Sequence, residues 1–216
     1  MKYLYYLFLL LTSLLPAQNS VPDPRVKTLD SLFQESHRRM TFNGNVLVAE
    51  KEAVIYTGSF GHADADRTSE LTEKHRFIIG SIGKEFDGVG LMLLVEEGKL
   101  SLADYLSTFF PELPVWAREV RVKHLLQYTS GLKHTIPKKV LTDDLVWESL
   151  KALDSLHFSP GTAYNYNNLN VFLRRKIIEK VSGMPYKDFV QQRLLAPCGM
   201  HKTLIDPDYT AADMTR

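Results

Sequence analysis

The sequence predicts an α+β chain in which helices dominate and the sheet is a small antiparallel fragment. Three observations lead there. Beyond residue 80, apolar residues recur mostly at helical spacing. Strand-like sequence is confined to residues 45–56, where Asn45-Val46-Leu47-Val48-Ala49 and Ala53-Val54-Ile55-Tyr56 flank a charged turn, Glu50-Lys51-Glu52. Turn-forming residues at Gly98, Pro160-Gly161, Gly183-Met184-Pro185 and Pro197 cut the rest into helix-sized pieces. With 216 residues, 44% hydrophobic and 24% charged, the chain is globular and long enough for one sizeable core or two small ones.

The elements follow in order. Met1-Lys2, an apolar run from Tyr3 to Leu15, and Pro16-Ala17 ahead of Gln18-Asn19-Ser20 describe a secretory signal peptide at 1–17, cleaved near Ala17. The run is shorter than the roughly 20 apolar residues that span a bilayer. A periplasmic or secreted product, residues 18–216, is therefore expected, with no stable membrane anchor after cleavage; an uncleaved anchor is the alternative. Asp23-Pro24 opens the first helix, with Val26, Leu29, Leu32 and Phe33 on one face. The hairpin comes next, then a polar loop over 62–74. A helix from Ser81 carries Ile82, Phe86, Val89 and Leu93 as its core face and stops at Gly98. Gly88 and Gly90 inside it read as small residues for close packing. Further helices are expected over 124–128, 142–154, 168–182 and 186–195.

The bulk numbers exclude several classes. A formal charge of +1 gives no reason to expect nucleic acid. Cys198 is the single cysteine, so no internal disulfide or cysteine-based zinc site is available, and it is expected to be a buried small apolar residue. The seven histidines are scattered without His-Glu-x-x-His, and Gly-x-Ser-x-Gly does not occur. No metal or cofactor is expected.

Two motifs carry chemistry. Phe77-Ile78-Ile79-Gly80-Ser81-Ile82-Gly83-Lys84 leads into an amphipathic helix pattern and contains Ser-x-x-Lys. Residues three apart share a helix face about 4.5 Å apart along the axis, so Ser81 and Lys84 would meet. A hydroxyl at a helix start also sees the positive end of the peptide dipoles. A lysine whose pKa is lowered by its neighbours can share the proton of that hydroxyl. The spacing alone is weak: about one chance match is expected at this length. The plain alternative is a helix cap beside a solvated lysine. Ser130-Gly131-Leu132-Lys133 is a second match, but Gly131 sits where a helix would be ending, and it reads as a decoy.

The other motif is Tyr166-x-Asn168, reached from the Pro160-Gly161-Thr162 turn. A tyrosine beside a lysine ammonium has a lowered pKa, and its phenolate can accept a serine proton. An asparagine two residues on can orient the lysine or bond a substrate amide. The structural alternative is a polar turn with Asn168 as cap and Tyr166 as a packing aromatic.

Read together, Ser-x-x-Lys and Tyr-x-Asn resemble the penicillin-recognising serine hydrolases, most closely their class C β-lactamase-related branch. The linking text agrees. Val95-Glu96-Glu97-Gly98-Lys99-Leu100-Ser101-Leu102 resembles the family's "EEGKLSLDD", and residues 122–132 resemble "ITIRHLLTHTSGL". Residues 160–168 resemble "PGTxFxYSN", and 196–203 resemble "PLGMxxT". Tyr128 stands where the family usually has His, Asn167 where it has Ser, and Cys198 where it has Leu.

The resemblance implies a β-lactamase/transpeptidase-like fold: a helical domain with part of an antiparallel sheet. It implies Ser81 as the acylated nucleophile, Lys84 as its proton-sharing partner, Tyr166 as general base and Asn168 as a substrate-binding residue. Ser81 N–H would supply half of an oxyanion hole. Substrates in such a family are small molecules or peptides: a β-lactam, a D-Ala-D-Ala-type peptide or a simple ester. The family's third motif, Lys/His-x-Gly on a later strand, is not found between Tyr166 and Arg216. The expectation is an amino-terminal portion of a longer enzyme with the C-terminal strands missing. The competing expectation is a truncated, inactive family member acting as a binding module or without function. Oligomeric state is not legible.

Overall fold

A computed structural model describes residues 23–133 and 142–205 of the chain. The signal-peptide segment 1–17 lies outside the described residues, as does the cleavage position near Ala17. The chain forms two units, one ending at His75 and the other beginning at Arg76.

In the first unit, helix α1 (Arg25–Arg38) accompanies an antiparallel hairpin of β1 (Gly44–Glu50) and β2 (Ala53–Phe60). Asp23 starts α1 from one residue further out than a standard cap: its carboxylate accepts the Arg25 N–H at 2.9 Å and its carbonyl accepts Val26 N–H. Val26, Leu29 and Phe33 are half-buried as the spacing predicts, whereas Leu32 faces solvent at 56% exposure. Phe33 instead joins Phe42, Tyr56 and Phe60 in an aromatic cluster with ring centroids 5.5 to 6.2 Å apart. That cluster explains why β2 runs on through Phe60 rather than stopping at Tyr56: the extra strand residues bring the half-buried Phe60 into it. Lys51 and Glu52 turn the hairpin with φ of 48° and 68°. This is the left-handed geometry that suits a two-residue hairpin, reached here without glycine.

The second unit holds the larger core. Helices α2 (Lys84–Glu96) and α6 (Asn168–Ser182) pack together, with α3 (Leu106–Phe109), α4 (Val122–Leu126), α5 (Asp143–Lys151) and α7 (Tyr186–Val190) around them. Leu91, Leu94, Leu106, Trp116, Leu125, Leu173, Ile177 and Phe189 are all essentially buried. Gly90 is where α2 comes closest to its neighbours. A Cβ there would lie 3.0 Å from Ile178 Cδ1 and 3.1 Å from Phe189 Cε1, so close packing is its role. At Gly98, φ +68° ends α2: Gly98 N–H bonds Val95 carbonyl and Lys99 N–H bonds Leu94 carbonyl, satisfying the last turn.

Several element expectations shift. Ser81 lies not on the α-helix but in a 3-10 turn, Gly80–Gly83, that feeds it. The core face of α2 is Asp87, Gly90, Leu91 and Leu94, while Ile82 and Val89 are 67% and 54% exposed. Of the expected face, only Phe86 and Leu93 pack against the core. The 3-10 turn advances about 120° per residue rather than 100°, so a face counted from Ser81 arrives in α2 out of phase. The helix expected over 124–128 occupies Val122–Leu126, and that over 142–154 is Asp143–Lys151 capped by Thr142. The helix over 168–182 is found at those bounds, capped by Asn167 rather than Asn168. The last helix passes from α7 into a π-helical turn, Gln191–Leu195. Cys198 is exposed, not buried, because the chain leaves the core at that turn.

Candidate active site

The loop before α2, the turn after α4 and the start of α6 converge in the second unit. The chain after α4 turns sharply at Tyr128, whose φ is 56°, and continues through Gly131 at φ 77°. A side chain at Gly131 would run its Cβ to 2.1 Å from the Phe158 carbonyl oxygen, so glycine is required. This close approach lets the segment after α4 lace to the segment before α6. Asn165 N–H bonds the Tyr128 carbonyl at 2.9 Å, Gly161 N–H the Thr129 carbonyl at 2.8 Å, and His157 N–H the Gly131 carbonyl at 2.7 Å. Asn167, almost fully buried, completes the clamp. Its Oδ1 accepts the Leu169 N–H at 2.9 Å as helix cap, and its Nδ2 donates to the Leu132 carbonyl at 2.9 Å. An amide does both jobs at once where a serine hydroxyl is shorter and has a single donor. Tyr166 is thereby carried on a rigid backbone.

Its hydroxyl meets Ser81. Tyr166 OH lies 3.0 Å from Ser81 Oγ, and Lys84 Nζ donates to the same oxygen at 2.8 Å. Lys84 Nζ also stands 5.4 Å from the Tyr166 ring centroid. The hydrogen bond from the Lys84 ammonium, then that with Ser81, hold the Tyr166 phenol below the usual tyrosine pKa. The structure thus brings Ser81, Lys84 and Tyr166 into one hydrogen-bonded triangle. Asn168, the first residue of α6, lines the same cleft as Lys84, a space of about 460 Å³, but makes no hydrogen bond to the triangle. The decoy pair stays apart. Ser130 is buried and accepts the Leu132 N–H, while Lys133 Nζ reaches Ser155 Oγ at 2.8 Å and Asp154 at 3.3 Å. Among the described residues no cluster of acidic, histidine or cysteine side chains is arranged to hold a metal ion.

A second layer escaped the sequence reading. Tyr128 stacks on Tyr166 with centroids 4.8 Å apart and planes 31° from parallel. Its hydroxyl accepts a hydrogen bond from Arg174 Nη2 at 3.2 Å. Arg174 also faces the fully buried Asp87, whose carboxylate bonds Arg175 Nε at 3.0 Å and the Tyr186 hydroxyl. Burial works against the Arg175 cation, but the charge and hydrogen bond of Asp87, together with those of Tyr186, outweigh it and keep the Arg175 pKa above the usual range. Burial, then the Asp87 charge, push the Tyr186 phenol up. The available signal was a charged residue, Asp87, one turn after Lys84, at a helix position that periodicity alone treats as a gap.

The chain is similar to known proteins over most of its length. The chain is 32% identical over 188 residues to penicillin-binding protein 4* of Bacillus subtilis, a match covering 83% of this chain and 41% of that protein. A class C beta-lactamase in complex with cefoxitin superposes with a TM-score of 0.74 at 27% identity, over 87% of this chain and 52% of the other. D-amino acid amidase from Ochrobactrum anthropi SV3, complexed with L-phenylalanine, gives 0.71 at 27% identity, over 86% and 53%. The chain spans less than half the length of the B. subtilis relatives it matches, 41% and 46%. The fold is β-lactamase/transpeptidase-like, with helices and, among the described residues, a two-stranded antiparallel sheet. The sequence profile of the Beta-lactamase family matches residues 29–213, and the chain belongs to that family.

Proposed function

We propose that this chain carries the nucleophile and proton-transfer groups of a serine hydrolase that works through an acyl-enzyme. The observation that carries the reading is the double engagement of Ser81 Oγ, by Lys84 at 2.8 Å and Tyr166 at 3.0 Å. Tyr166, its phenol stabilised as the anion by Lys84, takes the Ser81 proton as Oγ attacks a substrate carbonyl. The C–O bond of the acyl-enzyme forms, the bond to the leaving group breaks, and Tyr166 returns its proton to that group. Tyr166, again deprotonated, then takes a proton from water as the water oxygen attacks the acyl carbon; the bond from that carbon to Ser81 Oγ breaks, Oγ receives the proton and the acid leaves. Asn168, lining the cleft beside Lys84, is assigned to the substrate amide. The substrate class is an activated or accessible carbonyl: a β-lactam, a D-Ala-D-Ala-type peptide or a simple ester. Incubation with a fluorophosphonate or fluorescent penicillin should add one probe mass to the protein, and none to Ser81→Ala. An adduct that persists in Ser81→Ala, or maps to Ser130, would remove Ser81 from the role.

Residues 1–17 are proposed to direct export and to be removed, so that the mature chain begins at Gln18. The Lys2, Tyr3 to Leu15 and Ala17 pattern supports this. Among the described residues no helix is long and apolar enough to cross a membrane. Amino-terminal sequencing of the product outside the cytoplasm should begin at Gln18; recovery from the cytosol with Met1 intact would contradict it.

A further inference from the structure

Arg174 is buried at 3% exposure, and its burial is poorly repaid by its contacts. Asp87 already bonds Arg175 at 3.0 Å and the Tyr186 hydroxyl, while its contact with Arg174 is the longest of the three at 3.4 Å. Among the described residues Arg174 Nε has no hydrogen-bond partner. A buried guanidinium with an unpaired donor costs free energy, and the long contact with Asp87 only partly offsets it. What Arg174 does touch is Tyr128. Nη2 bonds the hydroxyl at 3.2 Å and the guanidinium carbon lies 5.2 Å from the ring centroid. The Tyr128 ring in turn lies against Tyr166, and the Tyr128 carbonyl holds Asn165 N–H one residue before it.

We propose that Arg174 is a positioning residue for Tyr166: through Tyr128 it fixes the phenol against Ser81 and places a buried positive charge behind it. The inference rests on the reading of Tyr166 as general base. Among the described residues, the charged and titratable groups facing Tyr166 include Lys84 from α2, Tyr128 from the turn after α4, and Arg174 from α6. Asp87, the nearby negative charge, is engaged by Arg175 and Tyr186 as well as by Arg174, so the cluster of one carboxylate and two guanidiniums carries net positive charge. A positive charge near a phenol favours the phenolate, the form that accepts the Ser81 proton.

The test is an NMR titration of ¹³C-labelled tyrosines in the full chain, with the Tyr166 signal assigned by its loss in Tyr166→Phe. Arg174→Met keeps the side-chain length and removes the charge; the Tyr166 midpoint should rise by about 0.5 pH or more. Arg174→Lys restores a charge and should bring the midpoint most of the way back. Tyr128→Phe keeps the ring stack and breaks only the bond to Arg174, and should give a smaller rise. This third variant decides the matter if Arg174→Met does not fold. The acid limb of probe labelling should move upward with the midpoint, whereas a purely structural Arg174 would lower the melting temperature and leave the midpoint in place. An unchanged Tyr166 midpoint in folded Arg174→Met, or in Tyr128→Phe, overturns the inference. The titration needs no turnover, so a chain that shows these shifts and never labels at Ser81 would overturn the hydrolase reading and leave the positioning role standing.

Discussion

Tyr166→Phe is expected to slow acylation of Ser81 by about 10²–10⁴-fold, the usual range for losing general-base help. The substitution is chemically narrow. The ring keeps its stack on Tyr128 at 4.8 Å, and only the hydroxyl that sits 3.0 Å from Ser81 Oγ is lost. Lys84→Ala should cost a similar amount by two routes: it removes the 2.8 Å bond to Ser81 and the main influence lowering the Tyr166 pKa. Because the two groups act on one proton, the double variant should be little worse than the poorer single one. The pH dependence has a definite sign. A base must be deprotonated to work, so the labelling rate rises with pH through the Tyr166 pKa, which lies below the usual tyrosine value. In Lys84→Ala the limb that remains should move to higher pH. Rates of probe incorporation followed by intact-mass spectrometry across pH give all of these numbers. A Tyr166→Phe chain that labels at the unaltered rate removes Tyr166 from the mechanism.

Each motif of the triangle was legible locally, but Tyr166 lies 85 residues from Ser81, and the resemblance to the penicillin-recognising serine hydrolases, not spacing, joined the two. Ser81 and Lys84 are three residues apart, and Tyr166 sits next to a strong turn signal, Pro160-Gly161, ahead of an amphipathic helix. Local spacing fixes local geometry, so the bounds of α6 were also readable. What failed was anything that depends on phase or on distant partners. In α2, Leu91-Met92-Leu93-Leu94-Val95 is apolar on every side, so periodicity could not choose a face. The core was chosen instead by Gly90, which admits Ile178 and Phe189, and by Asp87, which finds its partners on α6 and α7. Those partners lie 87 to 99 residues away in sequence. A buried carboxylate cannot be told from a solvated one until the arginines that face it are known. Tyr128 illustrates the same point: as a residue it is a bulky aromatic in a turn, and only Arg174 behind it and Tyr166 in front give it a job.

Asp87→Leu is expected to destabilise the second unit by about 3–5 kcal/mol, the cost of leaving a buried charge without its partner. At about 2–4 °C per kcal/mol for a chain of this size, the melting temperature should fall by roughly 10 °C. The carboxylate is fully buried and joins three elements: α2 through its own backbone, α6 through Arg174 and Arg175, and α7 through the Tyr186 hydroxyl. Its loss strands Arg174, whose side chain is 4% exposed, far more severely than Arg175, whose side chain is 44% exposed and can turn to water. The penalty should therefore sit chiefly on Arg174. Adding Arg174→Met to Asp87→Leu removes the stranded charge and fills the space with an apolar chain, and it should recover most of the lost stability, since a buried pair exchanged for apolar residues is often neutral. Urea melts of the single and double variants measure this coupling directly. If Asp87→Leu melts with the unmodified chain, the buried carboxylate is not what joins α2, α6 and α7. If the double variant is as unstable as Asp87→Leu alone, the cost lies with Tyr186 and Arg175 rather than with the charge on Arg174.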